Sequence, residues 1–112
     1  MTKPQATTAN KIQIIKWDKS SLLTQEEAEA RLHQEGYDCY RWHDVSEASY
    51  PRHKHPYDEC LWILKGDIQF TFDDQVHQLQ SGDRIYLPAF MPHSVYVPNI
   101  NGVTYLVGQK FL

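Results

Sequence analysis

The sequence is short of the features that mark several common protein classes. It has two cysteines, Cys39 and Cys60, which form no CxxC pair and so predict neither a disulfide framework nor a thiolate metal site. Its longest apolar run, CLWIL, is far shorter than the ~20 residues of a membrane-spanning helix, and the N-terminal residues lack the apolar segment of a secretory signal. We therefore expect a cytoplasmic protein with reduced thiols and no membrane partner.

Charge and motif content exclude further classes. The net charge is −3 and the basic residues form no extended cluster, which argues against a nucleic-acid partner. The sequence has no glycine-rich phosphate loop, no HExxH helix motif and no Ser/His/Asp triad spacing. Any catalytic or binding site must therefore be formed by residues outside these motifs.

Aromatic residues and β-like alternation are what the sequence has in quantity. A chain of 112 residues forms one domain, to which we assign residues 11–112, and the polar residues 1–10 are expected to be a flexible tail. Aromatic residues make up 12% of the sequence and fall mostly in short segments that alternate apolar and polar positions. A soluble, sheet-rich domain is predicted.

One helix is predicted near the N-terminus, after a short strand in KIQIIKW. Thr24 is a suitable N-cap, Glu27 completes a capping box three residues later, and Gly36 supplies the stop. The apolar face of this helix is thin, so the helix should lie on the surface of the domain. After it the hydrophobic period changes from 3.6 to 2, and about seven or eight short strands predict an antiparallel sandwich or barrel.

Two histidines and a carboxylate stand at the start of the most apolar strand. His53 and His55 project to the same side of an extended chain, because successive side chains alternate. Pro56 predicts a bend, after which Glu59 re-enters a strand and can direct its carboxylate to the same point. His93 is the candidate fourth ligand from a neighbouring strand. Four ligand-type side chains at linked spacings predict one metal site.

The spacing of these residues resembles the two motifs of the cupin superfamily of small β-barrels. The first motif, His-x-His, three or four residues, Glu, six residues and Gly, is matched by residues 53–66. The second, Gly, five residues, Pro-x-Gly, two residues and His, is matched in its spacing by residues 82–93. The resemblance covers about residues 40–108 and implies an all-β double-stranded β-helix, or jelly-roll barrel, with one short N-terminal helix.

Three positions depart from the cupin motifs. Glu47 stands where the first motif opens with glycine, Phe90 where the second has glycine after proline, and Val97 where the second ends with asparagine. Glycine would permit special backbone angles at the first two positions, and asparagine would offer a polar group to the site. None of the three replaces a predicted ligand.

The resemblance implies that one divalent transition-metal ion is held by His53, His55, Glu59 and His93. Imidazole and carboxylate donors suit Fe, Mn, Ni, Co, Cu or Zn, and they do not form the all-oxygen cage that calcium favours. A purely structural metal is disfavoured, because such sites are usually closed and often use cysteine. Inside the barrel, the candidate substrate-binding residues are Tyr57, Phe70 and Tyr86.

Two functions of different classes fit these residues. One is a metal-dependent enzyme, a dioxygenase or an isomerase-like enzyme, that acts on a small oxygenated or acidic molecule. The other is a non-catalytic cupin that binds or senses a small ligand. The apolar outer face around Trp62 must be covered by the N-terminal strand and helix or by a second subunit. Because small cupins are often dimers, we expect a homodimer with Trp62 at the contact.

Overall fold

The computed structural model describes residues 11–18, 21 and 23–111, and this part of the chain forms eight strands and one helix. The strands are β1 (Gln13–Ile15), β2 (Asp38–Asp44), β3 (Ser49–His53), β4 (Tyr57–Phe72), β5 (Gln75–Gln80), β6 (Arg84–Leu87), β7 (His93–Tyr96) and β8 (Val103–Phe111). The helix, α1, is Gln25–Gln34. The predicted tail, residues 1–10, lies outside the described residues. Within the described ranges, no helix has the length and hydropathy needed to cross a membrane.

The strands form two antiparallel sheets that share β4. One sheet has the order β1-β6-β4-β8-β2, and the other has the order β3-β7-β4-β5. Residues 57–66 of β4 pair with β8 in the first sheet, whereas residues 67–72 pair with β5 in the second. Within β4 the chain passes from one sheet to the other without a break. The all-β barrel prediction is confirmed.

The two glycines that end the first motif and open the second have a steric role. Gly66 has a φ of +89°, and a Cβ placed there would lie 2.4 Å from the carbonyl oxygen of Gly102. Gly82 has a φ of +94°, and a Cβ placed there would lie 2.3 Å from Cγ of Trp17. An L side chain would be both strained and crowded at either position. These glycines therefore set the points at which β4 turns and β6 begins.

The barrel retains a glycine-like backbone at two positions where the sequence departs from the cupin motifs. Glu47 and Phe90 have φ values of 69° and 67°, in the left-handed region. The amide of Phe90 donates to the carbonyl oxygen of His55 at 2.7 Å, and the amide of Glu47 donates to that of Val97 at 2.7 Å. The loop geometry of the motifs is thus kept at the cost of local backbone strain.

Helix α1 begins and ends as its sequence predicts. The Thr24 hydroxyl accepts from the Glu27 amide at 3.1 Å, and the Glu27 carboxylate accepts from the Thr24 amide at 3.2 Å, which completes the capping box. Gly36, with a φ of +94°, follows the C-cap residue. The helix buries only Ala28 and Leu32, so it lies on the surface of the barrel.

Two hydrophobic clusters lie on opposite faces of β4. The inner cluster fills the barrel and includes Leu61, Ile63 and Phe70. The outer cluster lies under α1 and includes Leu32, Cys60, Trp62 and Leu106. Because the helix of the same chain covers Trp62, which is 5% exposed, the expectation that this residue forms a dimer contact is wrong.

Candidate metal centre

Three histidines meet at the inner cavity of the barrel. His53 ends β3 and His93 begins β7, and the two residues are register partners across this strand pair. His55 lies two residues after His53, in the connection to β4. The ring of His53 lies 4.9 Å from that of His55 and 4.4 Å from that of His93, and the third separation is 5.0 Å. One ligand atom from each ring lies within 4.8 Å of the others, so the group can hold a metal ion.

Backbone carbonyl groups orient two of these rings. Nδ1 of His53 lies 2.7 Å from the carbonyl oxygen of Pro51, and Nδ1 of His93 lies 2.9 Å from that of Met91. A carbonyl oxygen can only accept, so Nδ1 must carry the hydrogen in each pair. Nε2 is then left with a free lone pair in both rings. The same outer hydrogen bond fixes the ring of most metal-bound histidines in proteins.

The protein environment favours the neutral form of the His55 and His93 imidazoles. Burial, with the neighbouring His93 and His53, lowers the pKa of His55 to about 4. Burial also lowers the pKa of His93, and the nearby His53 adds to this effect. These two rings are therefore uncharged at neutral pH, and neutral imidazole is the form that binds metal.

Glu59, at the start of β4, lies beside His55 but is not part of the group of three ligand atoms that lie within 4.8 Å of one another. Its carboxyl is 8% exposed, and Oε1 lies 3.7 Å from Nδ1 of His55. That distance is too long for a hydrogen bond, and the lowered pKa of His55 argues against an ion pair. Burial raises the pKa of Glu59 to about 7. Glu59 is thus a buried carboxyl with no cationic partner among the described residues, which is expected of a carboxyl that binds a metal cation.

The histidines and Glu59 line a cavity of about 230 Å³. Apart from these four side chains, the wall is mainly apolar and aromatic, with Leu61, Phe70, Val95 and Val107 among its members. Tyr40 and Trp42, each about half exposed, line it as well. A small apolar cavity with a few convergent polar groups is the usual form of a ligand site.

The three predicted substrate-binding residues have different positions. Phe70 is fully buried and lines the cavity. Tyr57 is not part of its lining, and its ring stacks on that of His55 with a centroid distance of 4.9 Å. Tyr86 lies on the outer face of the sheet, where its hydroxyl donates to Oε1 of Glu35 at 3.1 Å. The expectation that Tyr86 lines the same pocket is wrong, because on β6 it points opposite to the inward-facing Ile85 and Leu87.

Sequence reasoning missed a buried polar group at this cavity. Asp44, which is 6% exposed, accepts hydrogen bonds from the Trp42 indole at 2.9 Å and from the hydroxyls of Tyr50 and Tyr105 at 2.5 and 2.6 Å. Tyr40, Trp42 and Asp44 occupy alternate positions of β2 and therefore share one face. This alternation was the available signal, but the partners come from β3 and β8 and are distant in sequence.

Solved structures share the fold at low sequence identity. A cupin-2 domain protein from Halorhodospira halophila is 16% identical, with a TM-score of 0.68 over 88% of this chain and 75% of that one. A cupin-2 domain protein from Shewanella frigidimarina is 20% identical, with a TM-score of 0.58 over 66% and 70% of the two chains. The polyketide cyclase RemF from Streptomyces resistomycificus is 19% identical, with a TM-score of 0.59 over 65% of this chain and 53% of the cyclase.

The family is established by the sequence. No curated protein matches the sequence, and structural likeness at these identities shows the fold alone. The family model of the cupin domain, however, matches residues 41–106, which is more than half of the chain and includes the three clustered histidines and Glu59. The chain therefore belongs to the cupin family.

Proposed function

We propose that this protein is a metal-dependent cupin that binds a small oxygenated or acidic molecule, with dioxygenase or isomerase-like turnover as its candidate activity. The observation that carries the proposal is the group of three imidazoles, which converge within 4.8 Å at a cavity in the barrel. Three imidazoles gathered at one point are the nitrogen donors that many transition-metal sites use.

The donor set fits one divalent transition-metal ion. The proposed ligands are His53, His55, Glu59 and His93. Neutral imidazoles with one carboxylate suit Fe, Mn, Ni, Co, Cu or Zn. When bound, such an ion would supply Lewis-acid character toward an oxygen of the ligand. The carboxylate of Glu59 would offset part of the charge of the ion. The bound ion would in turn remove the free-energy cost of burying this carboxylate without a cation.

The chain's own residues supply orientation and exclusion of water. The carbonyl oxygens of Pro51 and Met91 hold the rings of His53 and His93. The stacked Tyr57 ring limits the rotation of His55. Fully buried Phe70 contributes an apolar wall beside the histidines. An apolar wall lowers the local dielectric and so strengthens the electrostatic contacts to a bound molecule.

A non-catalytic role, in binding or sensing a small ligand, is the second candidate. Its support is that the phenol hydrogens of Tyr50 and Tyr105 are both donated to Asp44. Burial, followed by the contact with Asp44, raises the pKa of both phenols. Neither hydroxyl is thus ready to act as an acid or a base. This arrangement favours recognition of a ligand over proton transfer to it.

A homodimer remains part of the proposal, with the edge of β2 as its candidate contact. Within the described ranges β2 pairs with β8 alone, so its other edge offers unpaired backbone groups. Light scattering on the purified protein would give the mass, and a monomer at micromolar concentration would contradict a dimer. The cytoplasmic location remains a prediction from the sequence.

Elemental analysis tests the metal proposal. The untagged wild-type protein is compared with His55→Ala and with His33→Ala, a control that removes an exposed histidine of α1. We expect about one equivalent of a transition metal in the wild type and the control, and almost none in His55→Ala. A wild-type protein that stays metal-free after reconstitution would contradict the proposal. Oxygen-uptake and ligand-turnover assays on the loaded protein then distinguish an enzyme from a binding protein.

A further inference from the structure

We propose that the cavity selects ligands that carry a hydrogen-bond donor, a hydroxyl or N–H group, and that the phenol oxygen of Tyr105, assisted by that of Tyr50, accepts from this donor. The inference rests on the proposed function, since it names the class of molecule that the same cavity would take. It follows from the placement of hydrogens around Asp44 and from the position of the two tyrosines in the barrel.

Asp44 receives every hydrogen that the two phenols can donate. A tyrosine hydroxyl has one hydrogen, and a carboxylate can only accept. The hydroxyl of Tyr50 lies 2.5 Å from Oδ1 of Asp44 and that of Tyr105 lies 2.6 Å from Oδ2. Both phenol hydrogens are therefore used in hydrogen bonds to Asp44. What remains on each phenol oxygen is acceptor capacity.

Tyr105 has the more available oxygen of the two. Tyr50 is the more exposed of the two residues, so water can occupy the acceptor capacity of its phenol oxygen. Within the described part of the chain, the hydroxyl of Tyr105 has Asp44 as its one hydrogen-bond partner. Tyr105 is 6% exposed and its ring lines the cavity. In our proposal, the remaining acceptor capacity of this buried phenol is the polar feature of a largely apolar wall.

The tyrosines and the metal-binding group lie at different levels of the barrel. On β8, Gln109 is the register partner of Glu59, and Tyr105 is the register partner of Ile63. Four residues of strand separate these two levels, a backbone distance of about 13 Å. The side chains between them, which include Leu61 and Val107, are apolar. A fitting ligand therefore has an acidic oxygen at one end, an apolar middle and a donor at the other end.

The apolar surroundings of Tyr105 make the cavity selective for ligands that carry a hydrogen-bond donor. A ligand that places an ether or methyl group beside Tyr105 would remove water from the phenol oxygen without replacing its hydrogen bond. A site built to hydrogen-bond a ligand group rejects analogues that lack the group, because its own polar atom is left unpaired. The cavity of about 230 Å³ is small for a ligand pocket, which suits a molecule with one aromatic ring.

A matched pair of probes tests the inference. Binding of 4-hydroxybenzoate and 4-methoxybenzoate is measured by calorimetry on the Zn²⁺-loaded and the metal-free protein, and the metal content of every sample is determined. We expect the wild type to prefer the hydroxyl compound by about tenfold, the effect of one neutral hydrogen bond. Tyr105→Phe should remove this preference. Tyr96→Phe, which alters an exposed tyrosine outside the cavity, should keep it.

A second variant protects the test against a folding defect in Tyr105→Phe. Asp44→Asn replaces one acceptor oxygen with an amide that donates, so a phenol oxygen is occupied and a phenol hydrogen is released. We expect the preference for the hydroxyl compound to fall in this variant too. If the role of Asp44 were purely structural, Asp44→Asn would lower the affinity for both probes by the same factor.

The outcomes separate the inference from the proposed function. The inference is overturned if the wild type binds neither probe, binds both equally, or if the preference persists in both variants. If metal is retained while the preference is absent, the inference fails and the metal proposal stands. If the protein cannot hold metal but shows a preference that depends on Tyr105, the metal proposal fails and the inference stands.

Discussion

The two faces of β4 bury polar side chains in opposite ways. On the outer face the guanidinium of Arg84 lies 2.6 Å from Oε1 of Glu35 and 4.1 Å from the centre of the Trp62 ring. On the inner face the three clustered histidines converge and Glu59 lies beside His55, and none of the four has an oppositely charged partner within the described part of the chain. Their hydrogen bonds among the described residues go to backbone carbonyl groups.

This difference distinguishes a structural polar cluster from a binding site. The ion pair between buried Arg84 and partly exposed Glu35 fixes the end of α1 against β6, although Nε of Arg84 has no hydrogen-bond partner among the described residues. Buried groups that converge and stay unpaired destabilise the fold until something binds them. Similar residue types thus serve packing on one face of a strand and, in our proposal, function on the other.

The largest expected effect comes from breaking the outer ion pair. Glu35→Ala leaves Arg84 buried without its partner and removes the hydrogen bond from Tyr86. We expect a loss of about 2–3 kcal/mol in the free energy of unfolding, below the usual cost of a broken buried pair because Glu35 is partly exposed. Denaturant titration measures it. Gln34→Ala, at the neighbouring exposed position, should cost less than about 0.5 kcal/mol.

Metal content provides the matching control for Glu35→Ala. The substitution lies on the outer face, so the folded variant should bind metal as the wild type does. A change in metal affinity of more than about threefold would show that the two faces are coupled, contrary to our comparison.

The second-largest expected effect is that of Glu59→Gln, which should lower the metal affinity but raise the free energy of unfolding of the metal-free protein. Glu59→Gln removes a proposed ligand, and we expect metal affinity to fall about 10–100-fold, measured by competition with a chelator. In the metal-free protein the same change removes a buried charge, so at about pH 8 the free energy of unfolding should rise by about 1 kcal/mol. A loss of both quantities would indicate that Glu59 is a structural residue.

The pH dependence of the metal-free protein sharpens this prediction. Burial raises the pKa of Glu59 from 4.5 to about 7, so its contribution to stability is complete below pH 4.5 and is lost as the pH rises through 7. The lowered pKa values of His55 and His93 act in the opposite sense below about pH 6.5. The quantity to measure is therefore the difference between wild type and Glu59→Gln. A difference that does not change with pH would contradict the assignment.

The smallest expected effect concerns the strained loop that holds His55. Phe90 has a φ of 67° and its ring is 56% exposed, so Phe90→Gly should relieve more backbone strain than it costs in packing. We expect the free energy of unfolding to rise by about 0.5–1 kcal/mol, measured by denaturant titration, with no change in metal binding. Ala89→Gly, one residue earlier and without a positive φ, should instead destabilise the protein.

Local rules predicted much of the fold from the sequence. The capping box at Thr24 and the strand alternation were readable, because they depend on neighbouring residues. The two-residue turn at Asp73 and Asp74, with φ values of 53° and 60°, also follows a local rule, because aspartate tolerates the left-handed region that such turns require. The spacing of the histidines also predicted the correct family, because each of the two cupin motifs is a short, continuous stretch of sequence.

What the sequence could not give depends on contacts between distant residues. The continuous course of β4 through both sheets follows from the close approach of Gly66 to Gly102. The outward position of Tyr86 depends on the register of β6 against β4, and a shift of one residue would have turned it inward. The Asp44 network joins three strands. The sequence left open whether the N-terminal strand and helix or a second subunit covers Trp62, and the packing of α1 on the sheet decides for the helix.

The central claim is that the three histidines hold one metal ion, and anomalous diffraction tests it most directly. Crystals of the metal-loaded protein are measured at the absorption edge of the bound ion. We predict one anomalous peak at about 2.0–2.3 Å from a ring nitrogen of each of His53, His55 and His93. A peak elsewhere in the molecule, or no peak in protein that has been reconstituted with metal, would contradict the claim.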